Sequence, residues 1–90
     1  MRIVDPRDLA IYVRARRREL KMTQSQLAKT AGVSRRWLSD LESGKPSAEV
    51  GLVLKVINAL GLVFDARPEL ANPAAVDIDE ILRTHSRGDP

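Results

Sequence analysis

The stretch from Gln24 to Leu41 narrows what this chain can fold into more than any other. Counting from Gln24, apolar or small residues fall at positions four, five, eight, ten, fifteen and eighteen (Leu27, Ala28, Ala31, Val33, Leu38, Leu41), with Gly32 at position nine. This pattern suits two short helices that cross steeply through a tight turn. Ala28 is small where the two backbones approach, and Gly32 tolerates the positive φ that the turn demands. Leu27, Val33, Leu38 and Leu41 then face one core, which leaves one side of the second helix free to enter a groove.

The surrounding punctuation extends this pair to four helices. Asp5-Pro6 is an N-cap followed by proline at the first helical position. From there Leu9, Val13 and Leu20 fall on one stripe, with Arg14 and Arg18 largely off it. Thr23 and Gln26 form a capping box for the second helix, which Gly32 closes. Ser34 caps the third, which stops at Gly44-Lys45-Pro46. Ser47 caps the fourth, with Val50, Val53, Leu54, Ile57 and Leu60 on its apolar side and Gly61 at its end. With one Trp, one Tyr and one Phe in 90 residues, the core is aliphatic, as suits a helical bundle.

The absence of cysteine excludes disulfides and thiolate metal sites. No apolar run approaches the roughly 20 residues of a membrane span, and the N-terminus lacks an export signal, so a cytoplasmic protein is expected. Residues 1–60 hold 12 Lys/Arg against 6 Asp/Glu, whereas residues 61–90 hold 3 against 6. A basic body with an acidic end suggests a polyanionic partner, although charge alone does not separate this from solvated helix faces. A two-helix packing unit without DNA shares some of the features at 24–41. All seven positions together with a basic balance favour DNA.

Thr23-Gln24, Leu27-Ala28, Gly32-Val33-Ser34, Leu38-Ser39 and Leu41-Glu42-Ser43-Gly44 stand where the lambda-repressor-like (Xre or Cro/CI-type) helix-turn-helix signature expects them. The resemblance runs from about Leu9 to Leu60. Among its branches the chain most resembles HipB-type antitoxins, in which a helix runs directly into a strand and then a tail, as Leu60 to Arg67 suggests. The resemblance implies an all-α domain of four to five helices at residues 5–61, a short β-strand at 62–67 that pairs across a dimer, and a C-terminal tail at 68–90. The implied function is sequence-specific transcriptional repression by a homodimer on a palindromic operator of double-stranded DNA. No cofactor or metal is implied.

Ser34, Arg35, Arg36, Ser39 and Asp40 lie on the free face of the third helix and are the candidates for base contact. Arginine suits bidentate contact with guanine O6 and N7 in the major groove, so one of Arg35 and Arg36 is expected to specify and the other to hold phosphate. Asp40 either accepts from a cytosine amino group or pairs with Arg36 one turn back, and the pair is the favoured expectation. The resemblance places Thr23, Gln24, Trp37, Ser43 and Lys45 on the phosphate side, with Gln24 alternatively bracing the first side chain of the third helix, and Arg14 and Arg18 lie at the flank or are simply solvated. Trp37 packs on the second helix or lies against a sugar or thymine methyl, with partial burial expected. The resemblance makes Arg17 and Glu42 an ion pair that fixes the interhelical angle. Arg16 occupies a position that is more often apolar, where its stem covers the core edge and its guanidinium reaches water.

Beyond Gly61 the alternation of Leu62, Phe64 and Ala66 with Val63, Asp65 and Arg67 has the period of a half-buried strand. A lone strand leaves its backbone unpaired. Either it pairs with its two-fold mate or it folds over its own domain. Asp77 to Arg83 suggests one short amphipathic helix, and His85 is read as a plain polar residue of the tail. In HipB-type proteins the further partner is a kinase-fold toxin, so the resemblance implies a partner of that kind. No phosphate loop, nucleophile–base set or metal cluster supports an enzyme. A protein-binding module on the same fold is the better competitor, but it has no need of two arginines opening the third helix.

Overall fold

A computed structural model of the chain describes residues 2–69, which form four helices: α1 (Pro6–Glu19), α2 (Gln24–Ala31), α3 (Arg35–Glu42) and α4 (Val50–Ala59). Local chemistry sets most of their ends. The Asp5 carboxylate accepts from the Asp8 N–H at 2.8 Å, Asp8 returns a bond from the Val4 N–H at 3.1 Å, and Pro6 follows the cap. At α2 the Thr23 hydroxyl accepts from the Gln26 N–H at 3.0 Å, while the Gln26 carbonyl oxygen accepts from the Thr23 N–H at 2.8 Å. The helix closes at Gly32, whose φ is +75°, with the Val33 N–H donating back to the Ala28 carbonyl at 3.0 Å. Gly61, at φ +69°, closes α4 by the same device, with the Leu62 N–H on the Ile57 carbonyl. At the end of α1 a lysine takes this role: Lys21 sits at φ +57° while Met22 donates to the Arg17 carbonyl.

α2 packs on both α3 and α4, and α1 packs on α3. The core comprises Val13 of α1, Leu27, Ala28 and Ala31 of α2, Leu38 and Leu41 of α3, and Val53, Val56, Ile57 and Leu60 at α4. Leu9, Met22, Val33, Trp37 and Leu62 are half-buried against it.

Three expectations need correction. The fourth helix is not capped by Ser47. It starts at Val50 after Glu49, which makes no side-chain capping bond, because Ser47 to Glu49 are spent crossing from α3 to α4. Its buried face is Val53, Val56 and Ile57, while Val50 and Leu54 are exposed. The helix is apolar on almost every side, so the neighbours and not the periodicity decide which side is buried. Leu20 lies outside the buried stripe of α1, because the helix ends at Glu19 and Leu20 falls in the turn. Ala10 and Val13 carry that face, with Arg17 half-buried beyond them.

Residues 62–69 run on without regular secondary structure, so the strand expected at 62–67 has no ladder in this single chain. Leu62 is half-buried, and Val63, Phe64, Asp65, Ala66 and Arg67 are exposed. Asp65 and Arg67 pair at 3.1 Å, as side chains two apart can when an extended backbone puts them on one side. Arg2 pairs with Glu69 at the far end of the segment. The expected tail helix at 77–83 lies outside the described residues.

Candidate nucleic-acid interface

α3 is built with one face for the core and one for solvent. Ser34 caps it, accepting from the Trp37 N–H at 3.0 Å. Leu38, Leu41 and Glu42 are buried, whereas Ser34, Arg35, Arg36 and Ser39 are exposed and Asp40 is half-buried. Among the described residues, neither guanidinium in the first turn has a hydrogen bond or an ion pair. Their position is electrostatically unfavourable for the isolated helix. A helix N-terminus carries positive partial charge and favours acids, and its C-terminus favours bases. α3 has no acid in its first turn and no base in its last. With Arg35 and Arg36 at the start and Asp40 and Glu42 near the end, its charges are reversed relative to its dipole. The two arginines are disfavoured by the dipole at that end of the helix, whereas an external anion there would offset it.

Asp40 does not pair with Arg36. Its carboxylate lies 3.8 Å from Lys45 Nζ, because the chain turns back after α3 and the Lys45 N–H donates to the Asp40 carbonyl at 3.2 Å. A base preceding an acid by four residues is also the weaker orientation on a helix. The Ser43 hydroxyl donates to the same carbonyl at 2.7 Å. Trp37 is half-buried and lines a shallow pocket with Asp40, Leu41, Lys45, Ser47, Ala48 and Glu49. That places its ring on the α3–α4 connection as well as on the core.

Beneath this face lies a polar cluster. Arg17 grips Glu42 with two parallel bonds, Nε to Oε2 and Nη2 to Oε1, both at 2.8 Å. Its Nη1 donates to the Met22 carbonyl at 2.9 Å. The hydrogen bonds that Arg17 donates to Glu42 raise the Arg17 pKa, burial opposes this, and the carboxylate charge adds to the rise. Gln24 is half-buried, and its amide Nε2 reaches Glu42 Oε1 at 3.3 Å, so this side chain is turned inward as well as standing at the start of α2. Arg14 Nη2 donates to the Glu42 main-chain carbonyl at 3.2 Å, which makes it a clasp on the end of α3 and not a merely solvated residue. Thr23 is engaged in its capping box, and Arg18 is exposed with no partner among the described residues.

Arg16 departs from expectation too. Its guanidinium does not simply reach water: Nε donates to the Leu60 carbonyl at 3.1 Å and Nη1 pairs with Glu19 at 2.7 Å. The inward bonds of Arg14, Arg16 and Gln24 have no signature in the sequence, since each joins helices distant along the chain. No helix of the described residues is long and apolar enough to cross a membrane.

A family model described as a helix-turn-helix domain matches residues 8–70. The HTH-type transcriptional regulator y4mF of Sinorhizobium fredii is 45% identical over 64 residues, which span 71% of this chain and 84% of that protein. Among solved structures, the chain is similar to HipB in a complex with an O4 20mer, with a TM-score of 0.72 and 25% identity, covering 77% of this chain and 97% of that one. A HipA–HipB–O2–O3 complex matches with the same TM-score, identity and coverage. The four-helix architecture with α2 and α3 crossing at Gly32, the outward arginines of α3, the family model and the regulator relative agree: this chain belongs to the Xre-like helix-turn-helix family of DNA-binding transcriptional regulators, which is not a family of enzymes.

Proposed function

We propose that the chain is a repressor that binds a palindromic operator as a homodimer, acting in the cytoplasm, and that it is the antitoxin of a HipBA-like pair that regulates its own operon. α3 lies in the major groove. One of Arg35 and Arg36 takes a guanine edge and the other a phosphate, with Ser34, Ser39 and Asp40 beside them. Thr23, Gln24, Ser43 and Lys45 hold the phosphates on either side, Trp37 adds its ring edge, and Arg14 and Arg18 flank them. The observation that carries this reading is the reversed charge of α3, with two guanidiniums that have no partner among the described residues where the helix itself disfavours them. The homodimer rests on Leu62 to Arg67, whose exposed Val63 and Phe64, and whose backbone beyond Leu62 without a partner among the described residues, suit a second copy of the same segment. The toxin partner rests on the likeness to HipB, seen in a complex with HipA. The alternative is a free-standing repressor without a toxin, a reading that rests on the likeness to a transcriptional regulator alone.

Titration of the full chain on a palindrome from upstream of its own gene, on one half of it and on a scrambled duplex tests the proposal. A specific operator is expected to bind about a thousandfold or more tighter than the scrambled duplex at physiological salt, with a steep salt dependence. Equal affinity for all three duplexes would overturn it. Co-purification with a kinase-fold product of the adjacent reading frame separates the antitoxin from the free-standing repressor.

A further inference from the structure

α1 carries arginines that act on two different helices. Arg14 and Arg17 hold the end of α3, through the Glu42 carbonyl and the Glu42 carboxylate. Arg16, turned away from them, holds the end of α4. Its Nε bonds the carbonyl of Leu60, a residue 1% exposed, and its Nη2 stands beside Gly61, where an added Cβ would lie 3.7 Å away. Glu19 fixes the same guanidinium from the other side. A cation on the last carbonyls of a helix is favourably placed with respect to the dipole. The Leu60 carbonyl lies at the root of residues 62–67, beside the turn at Gly61, where the Leu62 N–H also bonds the Ile57 carbonyl and the Leu62 side chain packs on the core. One rigid helix therefore ties the end of the DNA-facing helix to the root of the segment assigned to the dimer.

We propose that Arg16 is a positioning residue that sets the spacing at which two copies bind DNA. The inference rests on the dimeric reading above. In a dimer joined through residues 62–67, the angle at which that segment leaves the domain fixes the distance and rotation between the two α3 helices. One base pair added between half-sites turns one of them by about 34° relative to the other, since the duplex repeats every 10–10.5 base pairs. A root held by Arg16 transmits that mismatch to the contacts. A root released from Arg16 swivels to accommodate it.

The test compares the wild-type chain with Arg16→Met, which keeps the aliphatic stem, and Arg16→Lys, which keeps the charge and one donor. Each is titrated on a single half-site and on palindromes whose central spacer is lengthened or shortened one base pair at a time. The wild type is expected to prefer one spacing by about tenfold or more, and Arg16→Met to narrow that preference to about two- or threefold with half-site affinity unchanged. Arg16→Lys is expected to fall between them, and it decides the question by the same criteria if Arg16→Met does not fold. An unchanged spacing profile in the variants overturns the proposal. So does a loss of half-site affinity equal to the loss on the palindrome, because Arg16 would then act through the fold of each domain. A wild type that binds every palindrome no better than a half-site instead refutes the dimer, and the proposal with it.

Discussion

Replacing Arg17 by Met would strip a buried carboxylate of its partner. The Glu42 side chain is 2% exposed and that of Arg17 is 11% exposed, so water cannot replace the guanidinium without rearrangement of the helices. Among the described residues the Glu42 carboxylate would keep only the 3.3 Å contact from Gln24, and the Met22 carbonyl would lose the guanidinium donor. Breaking a buried pair by removing one partner costs about 3–5 kcal/mol. Two charge-assisted hydrogen bonds at roughly 1.5–3 kcal/mol each lead to a similar figure. In a domain of this size each kcal/mol moves Tm by about 4–8 °C, so even the lower figure predicts a drop of more than about 12 °C. Removing both partners, as Arg17→Met with Glu42→Leu, is expected to recover most of the loss, because a well-packed apolar pair can replace a buried ion pair at little cost. Urea unfolding followed by circular dichroism and by the fluorescence of Trp37 measures all four corners of the cycle. A loss below about 1 kcal/mol in the single variant, or additive losses in the double, would refute the reasoning. The pH dependence is also fixed in sign. The Arg17 pKa is raised in the folded state, so its contribution is fully present below the ordinary guanidinium pKa and is lost only as pH climbs through the folded value.

Gly32→Ala is expected to cost about 1–2 kcal/mol through backbone strain alone, since an added Cβ there meets nothing within 4 Å; a thermal melt with no shift would contradict this. Asp65→Pro removes a backbone donor at the middle of the 62–67 segment. Sedimentation is expected to show a monomer with an intact helical spectrum, and a persistent dimer with full palindrome affinity would rule out strand pairing. A chain ending at Glu69 is expected to keep its dimer and its DNA binding, as judged by sedimentation and titration, and loss of either would make residues 70–90 part of the fold.

Local chemistry was the legible part of this fold. Asp5-Pro6, the Thr23–Gln26 box, Gly32 and Ser34 each act within a few residues, so their types and spacing were enough to place α1, α2 and α3. Where an element depends on its neighbours the sequence was ambiguous. α4 is apolar nearly all round, so the spacing puts Val50 and Leu54 on its inner side and passes over Val56, whereas with α2 packed against the helix Val56 is buried and Val50 and Leu54 are exposed. Lys21 in the left-handed region bears no glycine to announce it. The outward residues of α3 were legible because they follow from the inward ones. The inward bonds of Arg14, Arg16 and Gln24 were not, because long polar side chains on one helix can reach several others. Asp40 met Lys45 and not Arg36 because the chain reverses direction after α3, and helical spacing does not register that reversal.

The central claim is that α3 recognises DNA through its first two arginines. Its most direct test is titration of Arg35→Ala and Arg36→Ala, separately, on the operator and on a scrambled duplex of equal length across a salt series. One substitution is expected to cost about 1–3 kcal/mol on the operator with little change on the scrambled duplex, as loss of a guanine contact requires. The other is expected to weaken both duplexes alike and to lower the salt slope by about one, as loss of a phosphate contact requires. If both variants bind every duplex as tightly as the wild type, with the same salt slope, α3 is not the element that recognises DNA.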